Sequence, residues 1–226
     1  MVKNLLNLLF PKVCYGCQSF LNDNEQHICT QCRHELPLTN FNTLENNMVE
    51  KLLYGRVPIE HATALLWFKK KGITQQLLHN LKYKGYEDIG LFLGEWLGEE
   101  LSELKRFKDI DVIVPVPLHK SRQRKRGYNQ VHKFSQAIAD KLQVECNTSV
   151  LQKTKATQTQ VFKDRLKRWN DDNTVFSVAS INDFKGKHVL LVDDVITTGA
   201  TIEACANALL KIEGIKISVA TMAIAS

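Results

Sequence analysis

Val189-Leu-Leu-Val-Asp-Asp-Val-Ile-Thr-Thr-Gly-Ala-Thr201 is the stretch on which the fold turns. Four apolar residues, Val189 to Val192, predict a short buried strand inside a parallel sheet. Asp193 and Asp194 stand at its carboxyl end. A Thr-Thr-Gly turn follows, and a helix is expected to begin near Ala200. Ligands of open α/β sheets bind outside the carboxyl ends of the strands. A helix start offers unpaired N–H groups and a positive dipole end, which suits a phosphate. Thr197, Thr198 and Thr201 add hydroxyl donors, and Gly199 lets the backbone close around an anion. Two carboxylates repel that anion, so their natural partners are sugar hydroxyls or a divalent cation. A 5-phosphorylated ribose, with its 2- and 3-hydroxyls on the acids, satisfies both halves. The plainer reading is a strand and an ordinary Asx or Thr turn with two solvated acids.

The run resembles the phosphoribosyl pyrophosphate (PRPP) signature of type I phosphoribosyltransferases at every position. The resemblance implies a PRPP site made of Asp193, Asp194, Thr197, Thr198, Gly199, Ala200 and Thr201. It also implies Mg²⁺ accompanying PRPP, and catalytic roles for Asp193 and Asp194 if the protein transfers a ribosyl group.

A chain of 226 residues suits one main domain and a small appendage. Its 44% hydrophobic content is that of a globular protein rather than a disordered one. The net charge of +6 permits anionic partners without establishing them. Met1 to Phe10 is apolar, but Asn4 and Asn7 interrupt it, and it reads as a short helix or arm rather than a signal peptide. No stretch is long enough to span a membrane. A cytoplasmic location is therefore expected, where cysteine pairs serve as metal ligands more readily than as disulfides.

Cys14-Tyr-Gly-Cys17 and Cys29-Thr-Gln-Cys32 are two C-x-x-C knuckles separated by eleven residues. Four thiolates suit tetrahedral zinc. Such a closed site is structural, and the few apolar residues between Val13 and Leu38 leave much of the folding energy to the metal. Disulfides or a redox pair are the alternatives. His27 and His34 read as surface residues, and Cys146 and Cys205 as simple buried thiols.

Strands are expected at Ile59–Phe68, Asp111–Pro117, Val150–Leu151, Val175–Val178 and Ile217–Ile224. Apolar stripes predict helices through Ile73–Leu81, Ile89–Leu104 and Val131–Leu142, and a helix from about Ala200 to Ile212. Pro37–Asn47 is polar and reads as a linker. The alternation argues for a parallel sheet with crossover helices. Trp67, Trp96 and Trp169 fall where packing explains them, with base stacking as the other reading.

After Val114-Pro-Val-Pro117 comes a run expected to be a loop. Lys120, Arg122, Arg124, Lys125 and Arg126 crowd it beside the predicted sugar-phosphate site. It reads as a solvated basic loop, as a pyrophosphate cradle, or with Tyr128 as a hold on single-stranded nucleic acid. Thr157–Trp169 is polar and expected to be helical in part, and the segment from Thr154 to Arg165, followed by Arg168 and Asn170, reads as mobile, able in a transferase to close over the ligand and exclude water.

Taken together, the two knuckles, Lys82-Tyr83-Lys84-Gly85, Val114-Pro-Val-Pro-Leu118, Arg122-x-x-x-Arg126-Gly-Tyr-Asn-Gln130, Thr157-x-x-Gln160 and the PRPP signature resemble the ComF (ComFC) family over nearly the whole chain. The resemblance implies a type I phosphoribosyltransferase-like parallel sheet flanked by helices (residues 46–226) fused to a four-cysteine zinc module with its linker (residues 1–45). It implies a role in natural competence, with single-stranded DNA and a translocation ATPase as partners and a place at the inner face of the membrane. The alternatives are a working phosphoribosyltransferase acting on a base or small amine, and a structural adaptor. Only residues 1 to about 60 are free to form a hood over a base, and none of them names one.

Overall fold

The computed structural model describes residues 12–153 and 175–225. The Met1–Phe10 arm and the whole of the expected closing segment, Thr154 to Asn170 with Trp169 in it, lie outside the described residues. From Lys12 onward come helix α1 (Thr30–His34) and helix α2 (Met48–Leu53). Strand β1 (Ala62–Phe68) leads to α3 (Ile73–Tyr83) and α4 (Asp88–Ser102). Strand β2 (Val112–Pro115) leads to α5 (Lys120–Arg126), α6 (His132–Leu142) and the short β3 (Glu145–Cys146). Next are β4 (Leu151–Lys153) and β5 (Phe176–Val178), then β6 (His188–Ile196), α7 (Ala200–Leu209) and β7 (Lys216–Ala225).

Five strands make one parallel sheet in the order β1-β7-β6-β2-β3. β4 and β5 pair antiparallel as a separate ribbon. The apolar pattern of the long central strands is continuous because both faces are covered. Val189 and Leu191 join a core with α2, α7 and the β4–β5 ribbon. Leu190 and Val192 face the opposite core, shared with α3, α4, α6 and the cysteine module.

β6 runs further than its four apolar residues suggest. It continues through Asp193, paired with Thr221, to Ile196, paired with Ile224. The ten-residue β7 supplies the ladder, and the acids leave the backbone on the two faces of the pleat without breaking it.

Pro37–Asn47, polar enough to read as a linker, closes the β1 edge. Trp67 N–H donates to the Pro37 carbonyl at 2.8 Å, and Thr39 N–H to the Leu65 carbonyl at 3.0 Å. The Asn47 amide donates to the Ala62 carbonyl at 2.7 Å while its own oxygen caps α2. An exposed edge of unpaired N–H and C=O groups is thereby covered.

On the other face, α4 and α6 approach closely through glycine. A Cβ on Gly94 would sit 2.5 Å from the Phe134 carbonyl oxygen, so only glycine fits without a shift. This crossing holds α6, and with it Gln130 just before α6, against the sheet.

Candidate functional site

Asp193 and Asp194 lie in the last residues of β6, both almost fully buried. Each accepts a hydrogen bond from the next backbone amide: Asp194 N–H to Asp193 Oδ1 at 2.8 Å, and Val195 N–H to Asp194 Oδ1 at 2.6 Å. The pleat separates their surroundings. Asp194 Oδ2 meets Lys82 Nζ from the end of α3 at 2.8 Å and the Gln130 amide at 2.7 Å. Asp193 faces the other core, where the charge of Lys153 acts on it and where its own charge helps hold the buried Cys205 as a thiol. Burial, then the neighbouring Asp194, pushes the Asp193 carboxyl up to about 8. Burial, then Arg122, pushes the Lys153 ammonium down.

The turn Thr197–Gly199 joins β6 to α7. Thr197, Thr198, Ala200 and Thr201 are exposed, and Gly199 is buried with φ at +76°. That left-handed backbone is open to glycine at little cost. Arg56, from the turn after α2, reaches this loop. Its guanidinium donates to the Thr198 carbonyl and pairs with Glu203 in the first turn of α7, the Nε bond measuring 3.1 Å.

The five cations between His119 and Gly127 form a helix, α5, rather than the loop that charge and polarity suggest. The run holds no Gly or Pro. The His119 side chain accepts from Ser121 N–H at its start, and Gly127 at φ +88° closes its end. Arg122, Lys125 and Arg126 line a cleft of about 510 Å³ with Lys82, Tyr83, Gly85 and Tyr128. Lys120 and Arg124 belong to the same helix but do not line this cleft. The guanidinium of Arg126 lies 5.6 Å from the centre of the Tyr83 ring, which is 70% exposed.

The Gly-Tyr-Asn-Gln run after α5 is a clip. The Tyr128 hydroxyl donates to the Leu81 carbonyl at the end of α3. The Asn129 amide donates to the Val116 carbonyl at 3.1 Å, and Gln130 reaches Asp194. Three elements are thus tied to the acid. Lys82 and Gln130 stand in the quoted motifs, but the sequence gives no sign that they meet Asp194. Arg56 carries no motif at all.

At the other end of α3, Cys14, Cys17, Cys29 and Cys32 bring their sulfurs within 4.8 Å of one another. Cys17 and Cys29 are 3.7 Å apart, the separation expected of two thiolates about 2.3 Å from one tetrahedral zinc. The amides of Gly16 and Cys29 donate to Cys14 Sγ at 3.4 and 3.2 Å, as thiolate ligands require. The donor set fits structural zinc. His27 is half-buried against Tyr15 at 5.7 Å, and His34 is exposed. Cys205 is fully buried, whereas Cys146 on the β3 edge strand is only half-buried. The cysteine module docks firmly on the sheet domain. Buried Asn80 donates to the Tyr15 carbonyl at 2.8 Å, Tyr15 stacks on Tyr86 at 4.6 Å, and Arg33 lies 5.2 Å over Trp96. Trp67 meets Phe41 edge-on at 5.2 Å. Packing accounts for Trp67 and Trp96.

Residues 132–225 match the family model described as the phosphoribosyl transferase domain, and residues 5–41 match the double zinc ribbon domain. Fold and cysteine cluster together define a parallel-sheet phosphoribosyltransferase-type domain carrying a zinc ribbon. The chain is a homologue of proteins named for competence and DNA utilization. It is 34% identical over 142 residues to competence protein F of Haemophilus influenzae, covering 60% of this chain and 61% of that one. It is 32% identical over 139 residues to the DNA utilization protein YhgH of Escherichia coli K12, covering 60% of each. It is 25% identical over 215 residues to competence protein ComFC of Bacillus subtilis, covering 91% of this chain and 82% of that one. The chain thus spans about three fifths of the length of the first two relatives. Among solved structures, a glutamine PRPP amidotransferase of B. subtilis covers 62% of this chain and 30% of its own, with a TM-score of 0.42 and 16% identity. Among the described residues, no helix is long and apolar enough to cross a membrane.

Proposed function

We propose that this protein binds PRPP at the β6–α7 turn and acts in natural competence as a cytoplasmic factor handling imported single-stranded DNA. The observation that carries the PRPP part is the acid pair. Two acids buried side by side at a strand end, one of them held by Lys82 and Gln130 and the other pushed towards its protonated form, cost stability. They stand one turn before Thr197–Thr201, where the N-terminal end of α7 and three exposed hydroxyls suit a 5-phosphate. Asp193 and Asp194 accept hydrogen bonds from the ribose 2- and 3-hydroxyls, and the side chains of Arg122, Lys125 and Arg126 meet the pyrophosphate. Mg²⁺ bound with PRPP would supply charge neutralisation at the pyrophosphate, beside Asp193 and Asp194.

The names of the relatives support the competence part. The cleft supports DNA: it combines Lys82, Arg122, Lys125 and Arg126 with the exposed face of Tyr83, the pairing of cations and aromatic rings that holds single strands. A DNA translocation ATPase at the inner face of the membrane is the protein partner this reading calls for.

A second reading, glycosyl transfer to a base or amine, is favoured by the same acid pair. The test is calorimetric titration of PRPP with and without Mg²⁺, followed by a screen for pyrophosphate release. Saturable heat supports the PRPP site, and its absence in both conditions removes it. Pyrophosphate release with one acceptor selects the transferase.

A further inference from the structure

We propose that Arg56 is a positioning residue for the phosphate loop, setting both the shape and the charge of the seat for a phosphate monoester. The inference rests on the PRPP reading of the β6–α7 turn and deepens it. Arg56 lies outside both stretches that match the family models, and it belongs to the segment between the zinc ribbon and the sheet.

Three contacts place it. Its Nη1 donates to the Thr198 carbonyl. Its Nε and Nη2 hold Glu203 Oε2. It lies so close to Gly199 that a Cβ there would stand 3.0 Å from Nη1 and 3.1 Å from Leu53 Cδ2. Arg56 is itself anchored, its Nη1 lying 3.4 Å from the Leu52 carbonyl at the end of α2 and its N–H 3.0 Å from the Leu53 carbonyl.

Two consequences follow. A peptide is planar and trans, so its C=O and N–H point opposite ways. Pinning the Thr198 carbonyl onto Arg56 turns the Gly199 N–H away from Arg56. It also fixes the turn that delivers the first amides of α7. The second consequence is electrostatic. Glu203 sits in the first turn of α7, where its charge competes with any anion at the helix start. The Arg56 guanidinium neutralises it, with Nε and Nη2 both donating to the one oxygen Oε2 while Nη1 holds the Thr198 carbonyl, an arrangement of planar donors that lysine cannot copy. Glycine at 199 is favoured twice over, by its positive φ and by the guanidinium 3.0 Å from where a Cβ would stand.

The experiment compares R56A, R56K, E203Q and R56A/E203Q with the parent by calorimetry. The probes are PRPP, ribose 5-phosphate and inorganic pyrophosphate, and melting curves confirm that each variant is folded. R56A is expected to weaken PRPP and ribose 5-phosphate about ten- to a hundredfold, with pyrophosphate binding nearly unchanged. R56K should fall between R56A and the parent. R56A/E203Q should regain part of the loss, because the unneutralised carboxylate is gone, a recovery that a merely structural role does not predict. Folded R56A with parental affinity for ribose 5-phosphate overturns the inference, as does an equal loss for pyrophosphate. A parent that binds neither PRPP nor ribose 5-phosphate overturns the PRPP reading itself, and the role of Arg56 with it.

Discussion

Lys82 Nζ lies 2.8 Å from Asp194 Oδ2, so the last turn of α3 delivers a cation to an acid in the centre of the sheet. Lys82 keeps about a fifth of its side chain exposed and also lines the basic cleft. It therefore joins the two halves of the proposed site. Removing it leaves Asp194 buried with Gln130 as its remaining side-chain donor among the described residues. K82M is expected to destabilise the fold by about 2–3 kcal/mol, below the usual cost of breaking a fully buried pair because water still reaches Lys82. D194N in the same chain should restore most of that. Denaturant unfolding of both variants checks it, and an additive double mutant would show that the pair is not coupled.

Asp193 makes the stability of the site depend on pH. Its carboxyl is raised from 3.8 to about 8, chiefly by burial and next by Asp194. The folded state therefore keeps the proton to higher pH than the unfolded chain does. Stability from this group is full below about pH 4 and is lost as pH rises towards about 8. D193N cannot ionise, so its advantage over the parent should grow across that window and level off above it. Melting temperatures of both proteins from pH 4 to 9 test this. A constant gap would falsify the buried-acid argument.

How much of this was legible in the sequence depends on whether a contact is local. The strand-turn-helix of Val189–Thr201 was readable because its parts are contiguous, and the same holds for the two knuckles. The pairing of Lys82 and Gln130 with Asp194 was not, since they are 112 and 64 residues away and only the closing of α3 and α6 onto the sheet brings them together. The Lys120–Arg126 helix was hidden because it buries none of its residues, which leaves no apolar period to detect. Its signals were the end marks, His119 and Gly127. The closeness of α4 and α6 is written in Gly90, Gly94 and Gly98, spaced four apart, but a reading that counts apolar residues passes over what is missing. Pro37–Asn47 looked like a linker because its work at the β1 edge is done by backbone groups and by Asn47.

Zinc removal should loosen more than the ribbon. The module is docked through the Asn80 amide on the Tyr15 carbonyl and the Tyr15–Tyr86 stack, while Cys14 and Cys32 belong to the same apolar cluster as α3 and α4. Purified protein is expected to hold about one zinc per chain. Chelation should increase amide exchange in residues 12–36 and in the exposed turns of α3. N80A leaves the Tyr15 carbonyl without this donor, at a cost of about 1–3 kcal/mol, and should release zinc more readily. Unchanged exchange in α3 after chelation would show that the ribbon folds independently.

The basic cleft separates a pyrophosphate seat from a nucleic-acid track. Three of its cations, Arg122, Lys125 and Arg126, come from one face of α5, and the exposed ring of Tyr83 stands beside Arg126. Pyrophosphate needs the cations alone, and Tyr83 offers it nothing. A single strand uses both, since each stacked base is worth about 1–3 kcal/mol and each phosphate contact contributes about −0.7 to the log–log salt slope. In titrations of a fluorescent single-stranded oligonucleotide at several salt concentrations, neutralising Arg122, Lys125 and Arg126 should remove up to about two units of slope. Y83A should weaken DNA binding at least about fivefold without changing the slope, and should leave pyrophosphate affinity alone. PRPP should compete with the oligonucleotide, because Lys82 belongs both to the cleft and to the Asp194 pair. If the cation and Tyr83 variants bind DNA as the parent does, with equal slopes, the cleft serves pyrophosphate and DNA is held elsewhere.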